Sequence, residues 1–272
     1  MRTEAHWYEY AIEAALLGAF MVSASAFTVL LQHPESIARA AIANGAVRRA
    51  LVGLAMGATA VALIYSPWGR RSGAHFNPAV TIAFHRLGKI GTRDAIGYVV
   101  AQCAGGIAGI ELARLLLGMS LADPSVGFVA TVPGAGGIPG AFVGEIVISF
   151  LQMATVLVLA NGRHARATGL VAGALVATWI SIEGPLSGTS MNPARSLASA
   201  VAAHVWTGFW VYLTAPVIGM LAAAEAYVHT RGADRVLCAK LRHDDGASRC
   251  IFRCGYGARG GASTASCGRT AA

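Results

Sequence analysis

Two stretches of this chain carry the same donors and the same turn in the same order. Ser72-Gly73-Ala74-His75-Phe76-Asn77-Pro78-Ala79 and Ser187-Gly188-Thr189-Ser190-Met191-Asn192-Pro193-Ala194 agree at five of eight positions, 115 residues apart. In each copy Asn caps a helix and Pro presets its first residue, so an extended segment feeds a helix N-terminus. That N-terminus carries roughly half a positive charge, and the Asn77 or Asn192 amide adds N–H donors beside it. Where two such ends face each other, a neutral molecule accepts hydrogen bonds and moves on, while a cation meets like charge in place of its hydration shell. The extended residues Gly73 to Phe76 and Gly188 to Met191 offer carbonyl oxygens as an acceptor ladder, lined by Gly73, Ala74, His75, Gly188 and Ser190. Glycine there lets the backbone approach closely.

Other residues with chemistry stand around this pair. Glu13 and Glu145 lie inside apolar runs, where a carboxylate marks a function; a proton relay is one such role. Arg195, directly after the second Asn-Pro-Ala, either joins an ion pair or filters what passes. Beyond Thr230, Cys238, His243, Cys250 and Cys254 offer three thiolates and an imidazole, the ligand types of a soft metal such as Zn2+ or Cu(I). Their spacing is not that of a standard finger, and Arg249 and Arg253 suit an anionic membrane surface instead. Reduced thiols are expected in such a tail, because a disulfide framework does not persist in a cytoplasmic setting. No nucleophile stands at a recognisable spacing from a base, so no enzyme is expected, and no cofactor other than that tail metal.

These residues need elements to position them. Over 272 residues, 55% are hydrophobic and 12% charged, which excludes an ordinary soluble domain and points to an all-α protein crossing a lipid bilayer several times. The net charge of +8 resides in connections and the tail, where a positive-inside bias accounts for it and no nucleic-acid partner is required. Residues 1–9 lack the short apolar core and cleavage site of a removable signal. Six spans of about 20 residues are expected near 9–31, 47–67, 92–117, 139–160, 167–184 and 206–229, the length a hydrocarbon core of about 30 Å demands. Two shorter apolar pieces, 77–87 and 192–203, begin at the repeated tripeptides and read as re-entrant half-helices.

Three spans and one half-helix make a repeat, about 9–117 and again 139–229, and an odd number of spans inverts the second copy around a central pore. Residues 1–230 form this channel unit, joined by a Gly- and Pro-rich outer connection at 121–139. Residues 231–272 form a basic, Cys-containing tail, of which 255–272 read as disordered. Arg70, Arg71, Arg86, Lys89, Arg93, Arg163, Arg166 and eight basic residues beyond Thr230 fall on one side, which places both termini in the cytoplasm of a multi-pass inner or plasma membrane protein. Small residues four apart, such as Gly53 and Gly57 or Gly105 and Gly109, read as close helix packing.

The Asn-Pro-Ala pair, the Ser-Gly-Ala-His before the first copy, Arg195 after the second, and Glu13 and Glu145 early in spans one and four together resemble the major intrinsic protein family, the aquaporins and glycerol facilitators. The resemblance covers about residues 9–229. It implies a homotetramer with one pore per subunit, conducting water and small neutral solutes. It gives Glu13 and Glu145 a second role, that of holding backbone N–H groups of the bent loops. It also makes Arg195 a selectivity filter, joined by Thr189, Ile180 and Met56. The connection at 66–71 is one residue longer than the family's usual one, so Gly57 competes with Met56 for that place. Neither the aromatic and His of water-selective members nor the two aromatics of glycerol facilitators stand here, and Ser196, Ala200, Tyr212 and Leu213 are most similar to plant nodulin-type channels. Water with glycerol, urea, ammonia, peroxide or uncharged metalloid acids are the expected solutes. A secondary transporter built on inverted repeats, or a membrane-anchored metal-binding protein, are the rival classes.

Overall fold

A computed structural model describes residues 5–243 and 250–256. Every regular element among them is helical. Among the described residues six helices are long and apolar enough to cross a membrane: α1 (Trp7–Gln32), α2 (Gly45–Tyr65), α4 (Thr92–Leu117), α5 (Gly137–Ala160), α6 (Thr168–Ile182, which reaches spanning length with the turn Ala165–Ala167 before it) and α8 (Phe209–Arg231). Between them lie the half-helices α3 (Pro78–Arg86) and α7 (Pro193–Ala203). Each of these two starts on its Asn, whose side-chain oxygen accepts the N–H of Ala79 in one case and those of Ala194 and Arg195 in the other.

Packing repeats with the sequence. α1 lies along α4 as α5 lies along α8, and α2 lies along α6 between the halves. Each half-helix crosses over, α3 onto α8 and α7 onto α4, so neither repeat closes without the other. Glycine sets the closeness. A Cβ on Gly105 would lie 2.1 Å from the Ala14 carbonyl oxygen, one on Gly219 2.4 Å from that of Ile146, and one on Gly57 2.5 Å from that of Gly173. The backbones of all three helix pairs therefore touch. In lipid, where apolar side chains gain little by leaving the solvent, such contact is what holds helices together. Gly105→Ala is expected to cost about 1–3 kcal/mol by overpacking, read as a lower melting midpoint in detergent. An unchanged midpoint would mean the α1–α4 contact tolerates separation.

Leu54, Ile96, Val100, Leu115, Val143 and Leu170 are exposed on the outside, an apolar belt suited to lipid. The segment after α8 does not stand off from this bundle as a loose tail. Val236, Cys238, Ala239, Leu241 and Phe252 are buried in the same apolar cluster as Ile64, Phe84 and Tyr98. Gly255 and Tyr256, read from sequence as the start of disorder, are also held here: Gly255 donates to the Leu237 carbonyl at 2.6 Å and Tyr256 Oη to that of Ala160 at 2.8 Å. The rest of that stretch, 257–272, lies outside the described residues.

Candidate functional site: a cavity between two acid-held loops

The loops that enter each half-helix carry left-handed backbone at Gly73, Ala74 and Phe76 in the first repeat, and at Gly188, Thr189 and Met191 in the second. Non-glycine residues in that region cost on the order of 1–3 kcal/mol each, so something must hold them. Glu13, fully buried, accepts from Ser72 Oγ at 2.6 Å, the His75 N–H at 3.1 Å, the Phe76 N–H at 2.6 Å and Gln102 Nε2 at 2.8 Å. Glu145 does the same for the second loop, taking Ser187 Oγ at 2.7 Å and the N–H groups of Ser190 and Met191 at 2.6 and 2.7 Å. Each loop is pinned once more by a tyrosine hydroxyl, Tyr98 to the Ser72 carbonyl and Tyr212 to that of Ser187. Buried N–H groups without partners are expensive in hydrocarbon, and these two carboxylates supply the acceptors. Both are spent on loop backbone, which is the second of the two roles open to them.

At the centre the two asparagines reach across the repeats. Asn77 Nδ2 donates to the Met191 carbonyl at 2.7 Å, and Asn192 Nδ2 to the Phe76 carbonyl at 2.8 Å. Each amide has two N–H groups; one makes the cross-link and the other is left for the cavity that both residues line. The two carbonyls nearest the centre are consequently taken by the asparagines.

That cavity encloses about 300 Å³ and runs from Val129 and Arg195 at one end to Ile64 and Leu241 at the other. His75, Gly188 and Ser190 line it; Gly73 and Ala74, expected on the ladder, do not. Ala74 is fully buried, and the Gly73 carbonyl accepts the N–H of Leu241 at 3.1 Å. His75 is held between Phe84 and Phe252, with Nδ1 3.1 Å from Thr81 Oγ1 and Nε2 2.8 Å from the Ala239 carbonyl, which makes Nε2 the donor there.

Met56, Ile180, Thr189 and Arg195 all line the cavity. Met56 rather than Gly57 holds the place on α2, because Gly57 is turned into the contact with Gly173. Arg195 Nη1 is buried without a hydrogen-bond partner among the described residues. A buried guanidinium donor of this kind calls for an acceptor from outside the protein. The Thr189 hydroxyl is committed elsewhere, donating to Glu183 Oε2 at 2.7 Å, so the ring is less polar than the residue type suggests. Glu183 went unread in the sequence, as did Gln152, whose side-chain oxygen on the cavity wall is buried without a partner among the described residues. A polar residue inside the strongly apolar α5 was the available signal for Gln152. The outer connection also does more than join repeats: Val126, Val129 and Ala130 form part of the wall, and Thr131 Oγ1 sits 2.6 Å from Ser196 Oγ.

In the tail, ligand atoms of Cys238, His243, Cys250 and Cys254 all lie within 4.8 Å of one another. Cys238 and Cys250 sulfurs are 3.6 Å apart, and Cys254 Sγ is 3.2 Å from His243 Nε2. Cys254 is held below the ordinary thiol range by hydrogen bonds from Cys238 and Cys250, with His243 adding to them. Cys267 and Arg249 lie outside the described residues.

Comparison with known proteins agrees with this geometry. The family model described as "Major intrinsic protein" matches residues 5–227. The chain is 34% identical to Aquaporin NIP1-2 of Arabidopsis thaliana over 82% of its own length and 75% of that protein's. It is 39% identical to a probable NIP-type aquaporin of Nicotiana alata over 62% of each chain, just under two thirds of that relative, and 37% identical to Nodulin-26 of Glycine max over 68% and 67%. In fold it matches the aquaglyceroporin of Plasmodium falciparum with a TM-score of 0.68 at 21% identity, over 85% of this chain and 99% of that one. A match from residue 5 to residue 227 takes in all six spans but the last turn of α8, both acid-held loops and the crossed asparagines, and the chain belongs to the major intrinsic protein family.

Proposed function

We propose that the protein is a passive channel for water and small uncharged solutes, closed to protons and metal cations. The observation that carries this is a cavity formed within one chain, with Arg195, whose Nη1 has no partner among the described residues, at one end and the crossed asparagines at its middle. A solute entering beside Arg195 gives that donor the acceptor it lacks. Further in, it meets one N–H from each asparagine and the positive ends of α3 and α7, each equivalent to roughly half a charge. Water, glycerol, urea, ammonia, peroxide or an undissociated metalloid acid accepts those bonds at little cost. A cation must give up hydration and gets only positive dipoles in return. With Met56 and Ile180 as walls and the Thr189 hydroxyl turned to Glu183, the ring suits solutes larger and less polar than water alone. The relatives named aquaporin support the channel reading itself.

In this reading the side bearing the tail faces the cytoplasm, the membrane is the inner or plasma membrane, and four copies assemble with one pore each. No reaction is catalysed. The test is stopped-flow swelling of proteoliposomes against a panel of neutral solutes. Flux linear in the gradient and indifferent to sodium supports a channel; saturable, sodium- or proton-driven flux would make the protein a transporter.

Ile180 is the expected gate on solute size. Ile180→His narrows and polarises the ring, and glycerol flux is expected to fall several-fold relative to water, equivalent to about 1 kcal/mol on the barrier. An unchanged glycerol-to-water ratio would remove position 180 from the pore.

A further inference from the structure

Two pieces of the tail lie across the end of the cavity opposite Arg195, and the cysteine cluster ties these two pieces together. Residues 237–241 run over the first loop: the Ala239 carbonyl takes the His75 ring, the Leu241 N–H takes the Gly73 carbonyl, and Leu241 forms part of the cavity wall. Residues 250–255 lie on top, with Phe252 stacked on His75 at 5.6 Å and the Arg253 N–H donating to the Lys89 carbonyl at 3.0 Å. Neither piece has regular secondary structure of its own, and few backbone bonds hold them down. Ordering such a segment costs conformational entropy at every residue, which the burial of Leu241 and Phe252 offsets in part and a cross-link between the two pieces offsets further. Cys238 and His243 come from one piece, Cys250 and Cys254 from the other.

Three sulfurs and one imidazole nitrogen within 4.8 Å of one another make the donor set of a closed, four-coordinate structural zinc site. The sulfurs of Cys238 and Cys250, 3.6 Å apart, are close to the separation that two thiolates adopt on one tetrahedral ion, and well beyond the length of an S–S bond. Cys238 is buried and the other three half-buried, so an ion there is shielded from water while the site stays within reach of the tail's own surface.

We propose that Cys238, His243, Cys250 and Cys254 bind one Zn2+ ion, and that this ion clamps the tail over the mouth of the cavity and shuts the channel. The proposal rests on the channel reading above. Metal binding and tail ordering are one event, because the four ligands meet only when both pieces are down. Removing the ion releases residues 237–243 and 250–255, frees the Gly73 carbonyl and the His75 ring from their tail partners, and opens the path past Leu241.

The test uses the full-length protein and its Cys250→Ser/Cys254→Ser variant, with a permeant chelator and added Zn2+. Metal content and the absorption spectrum of the Co2+-substituted protein read the site; stopped-flow solute flux in proteoliposomes reads the pore. The expected result is one ion per chain with intense tetrahedral thiolate bands, and flux that rises at least tenfold on chelation and falls again on adding Zn2+. The double variant binds no stoichiometric metal and conducts at the chelated level throughout. A Phe252→Ala variant, which keeps all four ligands but loses the stack on His75, is expected to bind the ion and to close less completely. Absence of stoichiometric metal, or flux that ignores it, overturns the proposal. So does a Cys238–Cys250 disulfide that accounts for the lost thiols, with flux responding to reductant and not to chelator. If no form conducts above protein-free liposomes, the channel reading falls and takes closure with it, whereas the Co2+ spectrum still decides whether the metal site exists.

Discussion

Glu145→Ala leaves a protein that neither melts nor conducts like the parent. The substitution strips acceptors from Ser187 Oγ and from the N–H groups of Ser190 and Met191, all buried. Each orphaned donor costs about 1–3 kcal/mol. The left-handed residues Thr189 and Met191 lose the bonds that hold them as well. The total is on the order of 5 kcal/mol, comparable with the whole stability of a small domain. Loss of a monodisperse peak in detergent and loss of flux are the expected readouts. Glu145→Gln keeps an acceptor oxygen but presents an NH2 group to another donor, so an intermediate outcome is expected. A Glu145→Ala protein that melts with the parent would show that the second loop holds its own shape.

Arg195→Val acts on passage and spares the fold. Its buried Nη1 has no partner to lose among the described residues, and its removal widens the ring between Met56, Ile180 and Thr189. Flux of the larger neutral solutes is expected to rise roughly tenfold, about 1.4 kcal/mol off the barrier. Cation exclusion should weaken without vanishing, because the asparagine pair and the two helix ends remain. The experiment compares solute panels and membrane conductance for the two proteins, with melting midpoints as the control on folding. An identical solute profile would place the filter elsewhere.

The parts of this architecture written in local patterns were legible without coordinates. A helix beginning at Asn-Pro-Ala is local chemistry, and the half-helices expected at 77–87 and 192–203 are Pro78–Arg86 and Pro193–Ala203. Spans follow from apolar length, and their ends shift by two or three residues where caps such as Asn44 override hydropathy. Choosing between Met56 and Gly57 needed the third dimension, because adjacent residues on a helix differ by a rotation that only the α2–α6 contact fixes. Thr189 was legible as part of the cavity wall, but the direction of its hydroxyl was not. Its side chain answers to Glu183, six residues away around a bend that no periodicity predicts. Tyr98 and Tyr212 were hidden differently: a tyrosine in a span looks like packing until its hydroxyl meets a loop carbonyl. The tail was opaque because its folding depends on partners such as His75 and Gly73, more than a hundred and fifty residues back.

The reciprocal bonds between the asparagines also order events during synthesis. When the ribosome has delivered only the first three spans, the Asn77 amide lacks the Met191 carbonyl that it binds in the finished protein, and the Phe76 carbonyl lacks Asn192. Lipid offers neither partner. The first half therefore cannot settle around a hole of its own, and the chain commits to a pore only when residues 191 and 192 have been inserted.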